Sequence, residues 1–396
     1  MLLKHLTILC FLLASLGCLN AQKLMLTGYV KDMQGLYYLE HPMMTGPGQA
    51  WQWTTYNQLH NRLNLEWQPI ENLRVDLGVR NRLLSGKLIS DLTGYAGLFE
   101  ADKGVVDLSW NLVSQKDWFL NTAIDRLYLD YTWKQFQLRA GRQRINWGIS
   151  LVWNPNDLFN AFSYIDFDYE ERPGSDAVLF TWYTSGTSSL DIAVKTGQNH
   201  QTTAAARYLF NVGTYDLQLI GGKNGQDAVV GGGWSGSLGA VSFRGEGSFF
   251  TPLPGKEPVS EKSVSASVEA DYTFSNSFYV HSAFLFNSTG TTKAGSSSGI
   301  SLLNPDFDLS AKSLSIGKYE WFGQVSYPFN PILNINLAGL LNPSDQSSYL
   351  SPTVTISLQD NIELMLTAQL LLGDTGSEYG YMGNTYACFG RLRWSF

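Results

Sequence analysis

The chain has 396 residues with 15% charged and a formal charge of −7, a balance that excludes an electrostatic nucleic-acid partner. Aromatics reach 13% and glycines number 38, yet mean hydropathy is −0.11 and no apolar run beyond the first residues is long enough for a membrane helix. Such length would ordinarily suggest several soluble domains, whereas this composition fits one large β-structure whose apolar and polar residues alternate and average out.

Lys4 and His5 precede an apolar run from Leu6 to Leu16, followed by Leu19-Asn20-Ala21 and Gln22. This is the layout of a secretory signal peptide over residues 1–21, with cleavage expected after Ala21. Cys18 after Gly17 offers lipidation as the alternative, although Ser15 stands where a lipoprotein leader carries a leucine-like residue. Loss of the leader leaves Cys388 as the single cysteine of 22–396, which excludes an internal disulfide and a cysteine-based metal site.

Strands are expected wherever one parity is apolar and the other polar over roughly ten residues, the length a tilted strand needs to cross a bilayer. Leu24 to Val30 opens the series. Leu59, Leu63, Leu65 and Trp67 alternate with Arg62, Asn64 and Glu66, and after a turn at Pro69 to Asn72 come Leu73, Val75, Leu77 and Val79 against Arg74, Asp76, Gly78, Arg80 and Arg82. Leu127, Leu129, Tyr131 and Trp133 against Arg126, Tyr128 and Asp130 then lead into Phe136, Leu138 and Ala140 against Gln137, Arg139 and Gly141. Further strands are expected at Val178–Trp182, Leu190–Val194, Ala204–Phe210, Tyr215–Leu219, Val229–Trp234, Val241–Phe249, Val264–Phe274 and Phe278–Phe286. Tyr319–Tyr327, Leu333–Leu341, Val354–Leu358, Ile362–Leu372 and Tyr386–Phe396 complete the set.

The count is about eighteen, with sixteen as the alternative because Val229–Trp234 is glycine-rich. Tight links alternate with longer ones near 33–50, 86–118, 146–176, 195–203, 220–228, 251–261, 288–315, 342–353 and 373–384. Unbroken alternation requires an even strand number with both ends on one side. No fixed-period repeat points to a propeller or solenoid. The expected fold is therefore all-β: a single transmembrane antiparallel β-barrel over residues 22–396.

Two segments carry a resemblance. The closing strand ends on Phe396, with Gly390, Leu392 and Trp394 on the same face, and resembles the assembly signal of Gram-negative outer-membrane barrels. Gly141-Arg142-Gln143-Arg144-Ile145-Asn146-Trp147-Gly148, followed by Asn154-Pro155-Asn156-Asp157, resembles a broad group of porins that includes alginate-export-type channels. The resemblance implies an outer-membrane location, contact with lipid and with the barrel assembly machinery through Phe396, and a third outside loop folded into the lumen. Carried onto this chain, that loop makes residues 147–172 the constriction. The loop is in any case too aromatic to lie free in water, holding Trp147, Trp153, Phe159, Phe162, Tyr164, Phe167 and Tyr169. Arg142 and Arg144 share the parity of Leu138 and Ala140, so either a bulge resets the register there or both stand above the hydrocarbon.

Sorting charge by parity places Arg62, Arg74, Arg80, Arg82, Arg126, Arg139, Arg391 and Arg393 on one water-facing wall, against Glu66, Asp76 and Asp130. The remaining wall is expected to present Asp191, Asp216, Glu246, Glu269, Asp271, Glu320 and Glu363 against Lys195, Arg207, Arg244 and Lys318. The third loop adds Asp157, Asp166, Asp168, Glu170 and Glu171. A basic wall facing an acidic loop sets solute preference in a narrow pore, while the same charges paired across strands would merely solvate a wide lumen. The expected function is passive diffusion of small polar or charged solutes, with no enzyme chemistry, cofactor or metal. The competing readings are a surface-polysaccharide or binding barrel with a closed lumen, and an outer-membrane hydrolase using His60 or His281.

Overall fold

The computed structural model describes residues 23–396 apart from 47–48, 93, 103, 163, 169–173, 198–201, 256–260 and 293–309. The leader expected over 1–21 lies outside them. In chain order the strands are β1 (Lys23–Gly46), β2 (Gln49–Ile70), β3 (Leu73–Ser85), β4 (Ser109–Ser114), β5 (Trp118–Trp133), β6 (Phe136–Gln143), β7 (Ser175–Tyr183), β8 (Ser189–Thr196) and β9 (Thr202–Val212). They continue with β10 (Tyr215–Asn224), β11 (Asp227–Leu238), β12 (Val241–Pro252), β13 (Ser263–Thr273), β14 (Tyr279–Asn287), β15 (Tyr319–Pro328), β16 (Leu333–Asn342), β17 (Ser347–Gln359), β18 (Ile362–Leu372) and β19 (Thr385–Ser395). Two short helices, α1 (Lys87–Asp91) and α2 (Tyr95–Glu100), lie between β3 and β4.

Eighteen of these strands close an antiparallel barrel, each paired with its chain neighbour and β1 with β19. β4 is the exception. The loop end of β5 pairs with β3 on one edge and β4 on the other, while its turn end pairs with β6. β4 thus extends the wall where β6 leaves it at Gln143. Closure removes both sheet edges, the condition for crossing a bilayer with strands.

Period-2 alternation governs every strand. Leu127 (42% exposed), Leu129 (53%) and Val230 (67%) belong to an outward apolar belt, while Asp130, Arg62 and Glu246 point inward and are buried. Aromatics mark the margins of the belt: Trp133, Phe136 and Trp182 cluster near the turn end, and Tyr38 lies 4.7 Å from Trp53 and 6.0 Å from Tyr386 near the loop end.

Three expected long links are short. Residues 342–353 reduce to a tight turn with Asn342 opposite Ser347. Residues 33–50 fall mostly within the β1–β2 hairpin, whose pairing reaches Gly46 opposite Gln49. Residues 220–228 turn tightly, with Asn224 opposite Asp227 and Gly225 at φ 60°. On β1 the polar Asp32 and Gln34 take outward positions and break the parity within the belt, while at the β10–β11 and β16–β17 turns pairing runs past the belt, where parity no longer signals it. A further departure is a bulge: β3 and β5 slip register between Gly78 and Val79, opposite Asp125. Phe119, Asn121, Ala123 and Asp125 are buried before it, and Asp130 after it, so the inward parity changes there.

Arg142 keeps the outward parity of Leu138 and Ala140 and is buried by the loop that precedes β4. Its guanidinium lies 2.5 Å from Asp102 and 2.7 Å from Asp176, and it donates to the carbonyl of Val106 at 2.6 Å.

Candidate functional site

The described part of the third long loop, residues 144–168 apart from 163, runs inside the barrel against a succession of strands. Near its start Trp147 packs edge-on to Phe159 at 4.9 Å, in a cluster with Ala177, Ala193, Ala205, Ile220 and Val229. The small inward side chains on β7, β8 and β9 make the room that two aromatic rings need. Gln218 on β10 donates to the carbonyl of Trp147 at 2.9 Å, and Lys195 on β8 to that of Phe159 at 2.7 Å.

Two inward glutamates then hold the loop by its backbone. Glu246 on β12 accepts from the N–H groups of Ile149 (2.6 Å) and Asn156 (3.3 Å), and Glu269 on β13 accepts from Leu151 N–H at 2.7 Å. Asn156 donates to the carbonyl of Gly232 and accepts from Ser248. A loop taken out of water must satisfy its donors, and these carboxylates do so. Trp153 and Tyr164 next pack against Phe322 on β15, and Gln369 on β18 donates to the carbonyl of Ile165 at 2.8 Å.

The loop then reaches the strands on either side of the closing seam. Phe167 lies 4.8 Å from Phe389 on β19. Asp168 accepts from Lys31 on β1 at 2.7 Å, Gln58 on β2 at 3.3 Å and Arg391 on β19 at 3.4 Å, and Arg391 also donates to Glu363 at 2.8 Å. Asp166 is exposed inside the barrel, although wall atoms surround it closely enough to displace bulk water. That crowding first, and the Asp168 carboxylate second, push its pKa up to about 6, against the opposing pull of Lys31 and Arg80.

The arginine wall divides into three groups. Lys31 and Arg391 contact Asp168 and, with Arg80, form the group at the loop acids, while register places Arg82, His60, Lys31 and Arg393 side by side on β3, β2, β1 and β19. Arg82 also lies over the ring of Phe99 in α2, and Arg393 over Tyr29. Arg62 and Arg126 meet at the bulge, where Arg62 is 2.6 Å from Asp125 and Arg126 donates to the Asp125 carbonyl. Arg74 and Arg139 sit toward the turn end in an alternating network, Arg139 at 2.6 Å from Asp130 and Arg74 at 2.9 Å from Asp76 and 3.8 Å from Glu66.

Asp157, expected beside the pore, is 0% exposed; the Asn154–Asn156 turn folds it against the wall and its carboxylate accepts from Asn160 N–H. Glu170 lies outside the described residues. On the far wall the expected acids are largely engaged: Asp191 with Arg207 at 2.6 Å, Asp271 with Arg244, and Glu246 and Glu269 with the loop. Lys31, Gln58 and Asp125 escaped the parity reading. Lys31 shares the inward parity of Tyr29 beyond the expected end of the first strand, and Asp125 sits one residue off parity because of the bulge.

Neither ring nitrogen of His60 has a hydrogen-bond partner among the described residues, and His281 Nε2 lies 3.3 Å from Glu269 without hydrogen-bond geometry. Neither histidine is linked to a serine among those residues, as nucleophilic catalysis requires.

The closed eighteen-strand antiparallel barrel is a fold this chain shares with solved outer-membrane porins of Pseudomonas and Acinetobacter. Among solved structures, OprD of Pseudomonas aeruginosa aligns over 96% of this chain and 97% of its own, with a TM-score of 0.57 at 7% identity. OccAB1 of Acinetobacter baumannii aligns over 94% and 96% with a TM-score of 0.56 at 11% identity, and OccK11 (OpdR) of Pseudomonas aeruginosa over 93% and 96% with 0.53 at 10%. No protein-family model and no curated protein sequence matches the chain.

Proposed function

We propose that this chain is an outer-membrane channel of a Gram-negative bacterium that passes small polar or charged solutes by passive diffusion. The observation that carries the reading is the seating of Asp166 and Asp168 of the inner loop against Lys31, Arg391 and their basic neighbours inside a closed barrel. Charges of both signs lining one narrow, low-dielectric passage give a solute a transverse field to align with and select by. The channel assignment of the similarly folded porins supports the same reading. In this role Arg80, Arg82, Arg391 and Arg393 form the cationic side of the constriction and Asp166 and Asp168 the anionic side. Arg62, Arg74, Arg126 and Arg139 shape the field from paired positions. No catalytic step or cofactor belongs to the mechanism. Secretion by the leader with cleavage after Ala21, and assembly through the strand ending on Phe396, complete the proposal.

Planar-bilayer recording tests it. The wild-type protein gives discrete conductance steps, and joint replacement of Arg80 and Arg82 by alanine moves the reversal potential in a salt gradient toward cations. A folded barrel that conducts nothing leaves the closed binding barrel as the better reading, and an unmoved reversal potential removes these arginines from the constriction.

A further inference from the structure

Around most of the barrel the outward positions of the belt are apolar or glycine, as on β18 with Leu364, Leu366, Ala368 and Leu370. Adjacent strands β1, β2, β3 and β5 break this rule together. Asp32 and Gln34 on β1, Thr55, Asn57 and Asn61 on β2, Asn81 on β3 and Thr122 on β5 all take the outward parity. Register confirms the facing: Asp32 lies opposite Leu392 and Leu59, both outward and about half exposed, and Gln34 opposite Gly390 and Asn57. Trp394 and Trp67 lie toward the turn end of this patch and Tyr38, Trp53 and Tyr386 toward its loop end, so the polar residues occupy the middle of the belt.

The groups are already partly organised. Gln34 donates to both oxygens of Asp32 (3.1 and 3.2 Å), while Thr122 donates to Asn81 at 2.8 Å and Asn81 to Asn61 at 3.3 Å. Asp32 and Gln34 nevertheless remain exposed, and acyl chains offer them neither donor nor acceptor. We propose that this face is an intramembrane interface with a second copy of the same chain. Its chemistry is self-complementary: side-chain amides that both donate and accept lie beside a carboxylate that only accepts, so an amide of one copy can serve the Asp32 of another. Leu36, Leu59, Leu63, Val79 and Leu83 flank the polar row and supply the apolar contact. Four strands spaced about 4.8 Å apart give a face on the order of 15–20 Å wide, the scale of a standard subunit interface. The proposal depends on the belt lying in a membrane and not on the lumen conducting.

The test compares the full mature chain with Asp32→Leu and with Asp32→Leu/Gln34→Leu. Each is counted by native mass spectrometry from detergent and by single-molecule photobleaching in a lipid bilayer. Wild type is expected as an oligomer of one chain type. Both variants are expected to dissociate at least tenfold more readily while keeping the folded, heat-modifiable gel mobility of the barrel. A monomeric wild type, or a variant whose only change is a more heat-resistant monomer, overturns the proposal, since a lipid-facing Asp32 would simply have been relieved. Added mass belonging to lipid or to another polypeptide overturns it equally.

Discussion

Asp166 is a loop residue whose charge responds to pH near the physiological range. Its carboxyl is crowded by surrounding protein atoms and lies beside Asp168, which together move its pKa from the ordinary carboxylate range up to about 6. Above that pH the group is charged and adds an anion to the constriction; below it the group is neutral and the basic side dominates. Reversal potentials measured at pH 7.5 and pH 5 should therefore shift toward anions on acidification, by several millivolts in a tenfold salt gradient. Asp166→Asn should hold the low-pH value at both. An equal shift in that variant would assign the titration to another group. The position also shows what a sequence conveys about a site: acidic residues in the loop are legible, but whether each meets water is not. Asp166 is exposed while Asp157, in the same loop, is fully buried.

At the scale of elements, the strands were legible because two environments impose a strict parity on every residue between them. Where polar Asp32 and Gln34 take outward positions on β1, and beyond the belt at the β10–β11 turn, the parity fails, which is why the extension of β1 to Gly46 and that tight turn departed from expectation. A bulge is equally silent, and it hid Asp125, the partner of Arg62. The inner loop was legible through its aromatics, but its anchors were not, because Glu246 and Glu269 read as pore charges until the backbone N–H groups they bind are seen. Glu246→Ala would leave the Ile149 and Asn156 donors buried without their acceptor, at about 1–3 kcal/mol each. The expected result is a detached loop in an intact barrel: larger conductance with frequent gating, and faster proteolysis within 149–156, at unchanged heat-modifiability. Quiet, wild-type conductance would show that the aromatic packing alone holds the loop.

For the whole molecule, closure is the event on which membrane crossing and an enclosed lumen both depend, and its geometry is concentrated at Gly28. The backbones of Gly28 and Phe396 exchange two hydrogen bonds, 2.9 and 3.0 Å, beside the paired register of β1 and β19. The Phe396 ring lies directly over the glycine. A Cβ at Gly28 would come within 2.9 Å of Phe396 Cζ and 2.3 Å of the Arg62 carbonyl oxygen, and the latter belongs to the β2 backbone, which cannot yield without breaking the ladder. Gly390, on the same outward face, would bring an added Cβ no closer than 3.6 Å to the end of Leu366. Gly28→Val is therefore expected to lower sharply the fraction of chain that reaches the heat-modifiable folded form in detergent refolding, whereas Gly390→Ala should refold like wild type. The contrast separates a defect of the seam from a general intolerance of side chains on this face. Should both variants refold alike, Phe396 can seat elsewhere, and closure would rest on the β1–β19 ladder without this contact.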